Sequence, residues 1–211
     1  MTISDPRGIW IKVDGIMRSE DAVAAVEAGV SAIGMILAPS SRRVTLEVAK
    51  EIRDVIPEGV MAFGVFDDSA PREVGEVAEL LNLNGVQFPA ALVAGRFLPN
   101  GVAVLRTVRV RSAEDLTEAD RLECDALHLD SYVEGKLGGT GELAPWDVIE
   151  ANRPSGDFVL SGGLNPENVT EAVRRLKPTG LDVSSGVEIQ PGLKDPEAMR
   201  EFVEKARSAD G

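Results

Sequence analysis

The chain has 211 residues, 44% hydrophobic and 27% charged, proportions that fit one globular domain over residues 1–211 and argue against a disordered chain. Its 35 Asp and Glu against 22 Lys and Arg leave a net charge of −13, which repels nucleic acid and anionic lipid and argues against partners of either kind. The single Cys124 excludes an internal disulfide, and charges such as Glu27 and Arg42 keep every apolar run short of the ~20 residues that span a bilayer. The opening MTISDPRG also lacks the charged-then-apolar layout of a signal peptide, so a cytoplasmic protein is expected. Only 6 of the 22 cations are Lys, and the carboxylates are spread along every predicted helix. That distribution reads as a solvated acidic coat of the halophilic kind rather than a clustered docking surface.

WIKVD (10–14) is the first short apolar run, and SEDAVAAVEAG (19–29) the first helical pattern, with apolar residues at i, i+3, i+4 and i+7. AIGMIL (32–37) and TLEVAKEIRDVI (45–56) repeat the pair, and VMAFGVF (60–66) leads into PREVGEVAELLN (71–82). GVQF (85–88) is followed by the weakest helix of the series, because ALVAGRF is brief and ends near Pro99. VAVLRTV (102–108) and ALHLD (126–130) come next. The Gly-rich YVEGKLGGTGE (132–142) that follows is longer than its peers, as a lid would be. DFVLS (157–161) precedes NPENVTEAVRRL (165–176), and GLDVSS (180–185) precedes DPEAMREFVEKAR (195–207). Strands alternating with helices imply a parallel sheet, and eight units without a linker favour a closed, single-domain (β/α)8 TIM barrel over a doubly wound sheet.

Chemistry in such a barrel sits at the carboxyl ends of the strands, where Asp14, Asp130 and Ser184 stand. Side chains alternate along a strand, so Lys12 with Asp14, His128 with Asp130, and Asp182 with Ser184 face the pore. Strand 6 lies across the barrel from strand 1, which puts Asp14 and Asp130 on opposite sides of the mouth, suited to general base and general acid. An ion-paired or helix-capping Asp14 is the structural alternative. Lower in the pore, Lys12 and Asp182 are on adjacent strands and are expected to neutralise each other. His128, the only histidine, reads first as a satisfied core residue.

LSGGLNPENV (160–169) leaves strand 7 through Gly162 and Gly163 and offers Asn165 as a helix cap with Pro166 at the first helical position. VSSGVE (183–188) leaves strand 8 with Ser185 and Gly186 similarly placed. Two such turns on consecutive strands make a phosphate cradle the expected reading, with plain tight turns as the alternative. PSSRRV (39–44) brings Arg42 and Arg43 to the mouth, where a guanidinium fork could hold a carboxylate, with loose surface arginines as the alternative.

Taken together, IKVDGIMRSEDA, APSSRRVT, GVF, LDSYVEGKLGGTGE, LSGGLNPENV and LDVSSGVEIQPGLKDPEAM resemble the phosphoribosylanthranilate isomerase family of tryptophan biosynthesis over nearly the whole chain. The resemblance implies an enzyme without metal or other cofactor that takes a small phosphoribosyl substrate through an Amadori rearrangement. N-(5-phosphoribosyl)anthranilate would open its furanose ring and become the 1-deoxyribulose 5-phosphate form. It implies Asp130 as the general acid, Arg43 as the arginine that holds the anthranilate carboxylate, and Gly163, Ser185 and Gly186 as phosphate-binding turns. The match breaks at strand 1, where the family's K-I-C-G-I-T base Cys is Asp14 and its Thr is Met17. It breaks again at strand 4, where Q-L-H-G appears as Gln87, Phe88, Pro89 and Ala90. Asp14 is therefore expected as a replacement base, since a related barrel isomerase of histidine biosynthesis uses an aspartate pair for the same chemistry. An isomerase of another phosphoribosyl-amine and a non-catalytic sugar-phosphate-binding paralogue are the alternatives. Monomer and homodimer both remain open.

Overall fold

The computed structural model describes residues 3–67, 71–90, 97–131 and 145–210. Eight parallel strands close on themselves in chain order: β1 (Trp10–Val13), β2 (Ala32–Ile36), β3 (Met61–Val65), β4 (Gly85–Pro89), β5 (Ala103–Val110), β6 (Ala126–Ser131), β7 (Phe158–Leu160) and β8 (Gly180–Val183). The ring is sealed by β1 on β8, with Lys12 opposite Asp182. Around it lie α1 (Ser19–Ala28), α2 (Leu46–Asp54), α3 (Pro71–Leu80), α4 (Ala113–Ala119), α5 (Trp146–Ala151), α6 (Val169–Leu176) and α7 (Pro196–Asp210). Helix α7 packs on both α1 and α6, which closes the outer layer as β1 and β8 close the inner one. No described helix is long and apolar enough to cross a membrane.

The period-2 alternation of each strand divides the apolar residues between two cores. Trp10, Ala32, Phe63, Ala103, Leu105, Ala126 and Val159 fill the barrel interior together with Ile3. Ile11, Val13, Ile33, Leu127, Leu129, Leu181 and Val183 turn outward into the layer beneath the helices, as the alternation requires. Trp10 packs edge-on against Phe63 with ring centroids 5.7 Å apart, so the amino-terminal end of the barrel is plugged. Polar inward side chains are thereby concentrated towards the carboxyl ends.

Several elements differ from the expectations. Helix α6 starts at Val169 rather than at Pro166. The Asn165 side chain accepts hydrogen bonds from the Glu167 and Asn168 amides (2.8 and 3.1 Å), so Asn165 and Pro166 build a separate turn ahead of the helix. Strand β5 extends past Val108 to Val110, which makes Arg109 a strand residue. Helices α4 and α5 are short additions; α4 begins with a reciprocal capping box between Ser112 and Asp115. A hairpin of β9 (Glu188–Gln190) and β10 (Leu193–Lys194) follows β8 and has no forerunner in the periodicity. Residues 91–96, within the weakest expected helix, and the expected lid at 132–142 fall outside the described residues.

Candidate active site

Strand register places the charged residues at common heights. Lys12 is fully buried, and its ammonium lies 3.0 Å from Asp182 Oδ2 and 3.1 Å from Asp14 Oδ1. Burial works against this ammonium, but the two carboxylates outweigh it and raise its pKa above the usual lysine range. Burial likewise opposes the charge of Asp182, yet Lys12 and then His128 hold its carboxyl below the usual range. The register that sets Thr107 beside His128 also brings Thr107 Oγ1 to 3.3 Å from His128 Nδ1. His128 Nε2 is 2.7 Å from Asp182 Oδ2, so an Nε2–H donates to that carboxylate while Nδ1 meets the Thr107 hydroxyl. A continuous polar chain therefore runs Thr107, His128, Asp182, Lys12, Asp14 across the middle of the pore.

Asp14 ends that chain just beyond β1, where its amide donates to the Val183 carbonyl at 2.9 Å. Room for its carboxylate comes from Gly34 on β2: a Cβ there would sit 1.8 Å from Asp14 Oδ1. Asp14 Oδ1 faces Lys12 without a well-aligned hydrogen bond, and Asp182 Oδ1 and Gln87 Oε1 are also buried acceptors with no hydrogen-bond partner among the described residues. Asp14, Gln87, Asp182 and Asp130 all line one cavity of about 160 Å³ at the carboxyl ends of the strands. Burial raises the Asp130 carboxyl above the ordinary range, with the adjacent His128 pulling the other way. Its Oδ1 accepts the Ser131 amide at 2.8 Å.

The wall formed by the loops after β7 and β8 contains Ser161, Gly162, Gly163, Leu164, Ser184 and Ser185. Asn168 ties the first loop by donating from its side chain to the Gly163 carbonyl at 2.9 Å. Gly186 lies behind that wall, and a Cβ on it would fall 1.9 Å from the Leu164 carbonyl oxygen, so only glycine lets the two loops come this close.

A family model described as "PRAI: N-(5'phosphoribosyl)anthranilate (PRA) isomerase" matches residues 11–205. The chain belongs to this isomerase family. An N-(5'-phosphoribosyl)anthranilate isomerase of Rubrobacter xylanophilus is 41% identical over 203 residues, covering 94% of this chain and 98% of its own. The crystal structure of phosphoribosyl anthranilate isomerase from Thermotoga maritima superposes with a TM-score of 0.85 at 33% identity, covering 95% of this chain and 99% of that one. A structure of the isomerase in complex with reduced 1-(o-carboxyphenylamino)-1-deoxyribulose 5-phosphate superposes with a TM-score of 0.82 at 32% identity, covering 95% and 99% of the two chains.

Within this isomerase barrel the two candidate arginines part company. Arg42 lines the cavity and is clamped by Glu188, with Nε and Nη2 at 2.8 and 2.7 Å from its carboxylate oxygens. Glu188 is shared with the buried Lys194 at 2.8 Å, and Lys194 also donates to the Ser184 carbonyl at 3.0 Å. Arg43 is exposed and lines a neighbouring groove with Leu37, Phe66 and Val74 instead of the cavity. Thr107, Arg109, Gly34, Glu188 and Lys194 were not singled out by sequence reasoning. The Thr107 and Arg109 alternation in LRTVRV was the available signal for the first two, whereas nothing local announces a contact between positions 146 residues apart.

Proposed function

We propose that this chain isomerises N-(5'-phosphoribosyl)anthranilate with Asp14 as general base and Asp130 as general acid. The observation that carries the reading is that both carboxylates line one cavity with the β7 and β8 loops. Burial favours the protonated form of Asp130, which delivers its proton to the furanose ring oxygen. The C1–O bond then breaks as the aryl nitrogen forms an iminium with C1. Asp14, paired with Lys12 as a carboxylate, takes the C2 proton; the resulting enolamine ketonises to the 1-deoxyribulose form. Lys12, Asp182 and Ser184 support the pair from below and beside it, and Gly162, Gly163, Ser185 and Gly186 form the phosphate cradle.

A fluorescence assay following the loss of phosphoribosylanthranilate tests the reaction. Turnover at ordinary enzyme rates supports it, and none at any concentration of enzyme sinks it. Gln87 and Pro89 line the cavity where the family pattern changes, which favours a second reading, the isomerisation of a different phosphoribosyl-amine. That reading takes over if an alternative arylamine is isomerised and the anthranilate compound is not. For the cradle, Gly186→Ala is expected to raise KM at least about tenfold, because its Cβ forces the Leu164 carbonyl away and spreads the loops. An unchanged KM would locate the phosphate elsewhere.

A further inference from the structure

We propose that His128 is a positioning residue for the general base: its ring holds Asp182, and this leaves the Lys12 ammonium free to pair with Asp14. The assignment rests on the isomerase reading above, which gives Asp14 its role. His128 is buried in the pore, lines the cavity with both candidate carboxylates, and has no task in the reaction as derived there.

Two carboxylates and one ammonium meet in the middle of the pore, all of them buried. Lys12 lies 3.0 Å from Asp182 Oδ2 and 3.1 Å from Asp14 Oδ1, and only the contact with Asp182 is a well-aligned hydrogen bond. Asp14 is therefore the weaker claimant on a shared cation. Asp182 Oδ1 has no hydrogen-bond partner among the described residues, so Asp182 draws its support through Oδ2, where Lys12 and His128 Nε2 both arrive. A buried carboxylate that loses one of two donors on the same oxygen draws the other closer. Without the ring, the ammonium settles on Asp182, and Asp14 loses its direct cation.

The neighbours of the ring favour this task. On β5, Thr107 is its register partner and meets Nδ1 at 3.3 Å, which leaves Nε2 for Asp182 on β8. On β7 the residue at the same height is Val159, so no charge competes for the ring from that side. Asp130 follows on the same face of β6 and is the other carboxylate that senses His128. The remaining cations that act on Asp14, Arg42 from the loop after β2 and Lys194 from β10, are both paired with Glu188. Lys12 is thus the cation whose division between two acids decides how well the Asp14 carboxylate is compensated.

The pH dependence of kcat/KM reads that division, because the acidic limb marks where the base takes up a proton. His128→Leu is expected to move this limb to higher pH by about one unit, a roughly tenfold loss on the acidic side, with KM on the plateau nearly unchanged. His128→Gln keeps a donor for Asp182 and should hold the limb at the parent position. Asp182→Asn removes the rival for Lys12, so His128→Leu in that background should move the limb no further. His128→Met gives the same comparison if the leucine variant does not fold. A second measurement needs no turnover. With Cys124, the single native thiol, replaced by Ser, Asp14→Cys places a thiol beside Lys12, and its alkylation by iodoacetamide is followed against pH. A thiolate forms at lower pH beside a cation, so His128→Leu should displace this profile upward as it does the limb. A limb and profile that stay in place, that move to lower pH, that move alike with Leu and Gln, or that move as far in the Asp182→Asn background, overturn the assignment. An active parent whose limb and thiol both ignore position 128 refutes this inference alone. An inactive parent whose thiol responds to His128→Leu refutes the isomerase reading alone, and one whose thiol does not respond refutes both.

Discussion

Asp14→Asn and Asp130→Asn are each expected to lower kcat by at least ~100-fold while leaving the protein folded, the usual loss when a positioned proton-transfer group is removed. Asn keeps the shape of Asp and can still accept a hydrogen bond from a neighbour, but it takes up no proton. Replacing Asp14 does not strand Lys12, because Asp182 remains 3.0 Å from its ammonium. Asp14→Cys restores the family's base and should retain activity. The pH dependence adds a second check. Burial raises the Asp130 carboxyl, and an acid works only while protonated, so kcat/KM should fall as pH rises through that pKa. The same limb should be absent from the residual activity of Asp130→Asn. Parent-like turnover by Asp14→Asn would leave Asp14 a structural partner of Lys12 and nothing more.

Lys12→Met is expected to destabilise the fold by roughly 3–5 kcal/mol, the range for leaving buried charge without its partner. In a chain of this size that lowers the thermal midpoint by about 6–20 °C. Met matches the aliphatic stem well enough that the loss is electrostatic: Asp14 and Asp182 would face one another with 7% and 3% exposure and no cation between them. The two proteins should respond to acid in opposite directions. In the parent the Asp182 pKa is lowered in the folded state, so its stabilisation is present above the unfolded carboxylate pKa and fades as pH falls through the depressed value. In Lys12→Met burial acts on Asp182 without the lysine that opposes it, so its carboxyl binds a proton more readily than in the parent and mild acid should restore stability. Parallel acid profiles for the two proteins would show that the ammonium does not compensate these carboxylates.

Much of the candidate site was legible because a barrel converts sequence alternation directly into position. The spacing of Lys12 and Asp14, His128 and Asp130, and Asp182 and Ser184 sufficed to turn each pair inward once eight strand runs were recognised. The glycines after strands 7 and 8 were equally visible, since they mark turns close in sequence to the strand ends. Expectations failed where a boundary depended on side-chain hydrogen bonds. Asn165 caps its own turn and delays α6 to Val169, and the extra residues of β5 made Arg109 part of the mouth.

The sequence by itself determined the eight-unit barrel, the end of it where the candidate site lies, and the residues that face the pore, because these follow from periodicity within a few residues. Only the tertiary structure decided who touches whom across the ring. Lys12 bridges Asp182 and Asp14 because β1 and β8 pair at that height, and Asp14 fits because Gly34 on the next strand has no side chain. Arg42 is held by Glu188, 146 residues away, while Arg43 is exposed in the adjoining groove and Arg109 lines the cavity. Adjacent arginines in a loop look alike in one dimension. Buried charge must find its counterion in three, and the strand register fixes which one is within reach.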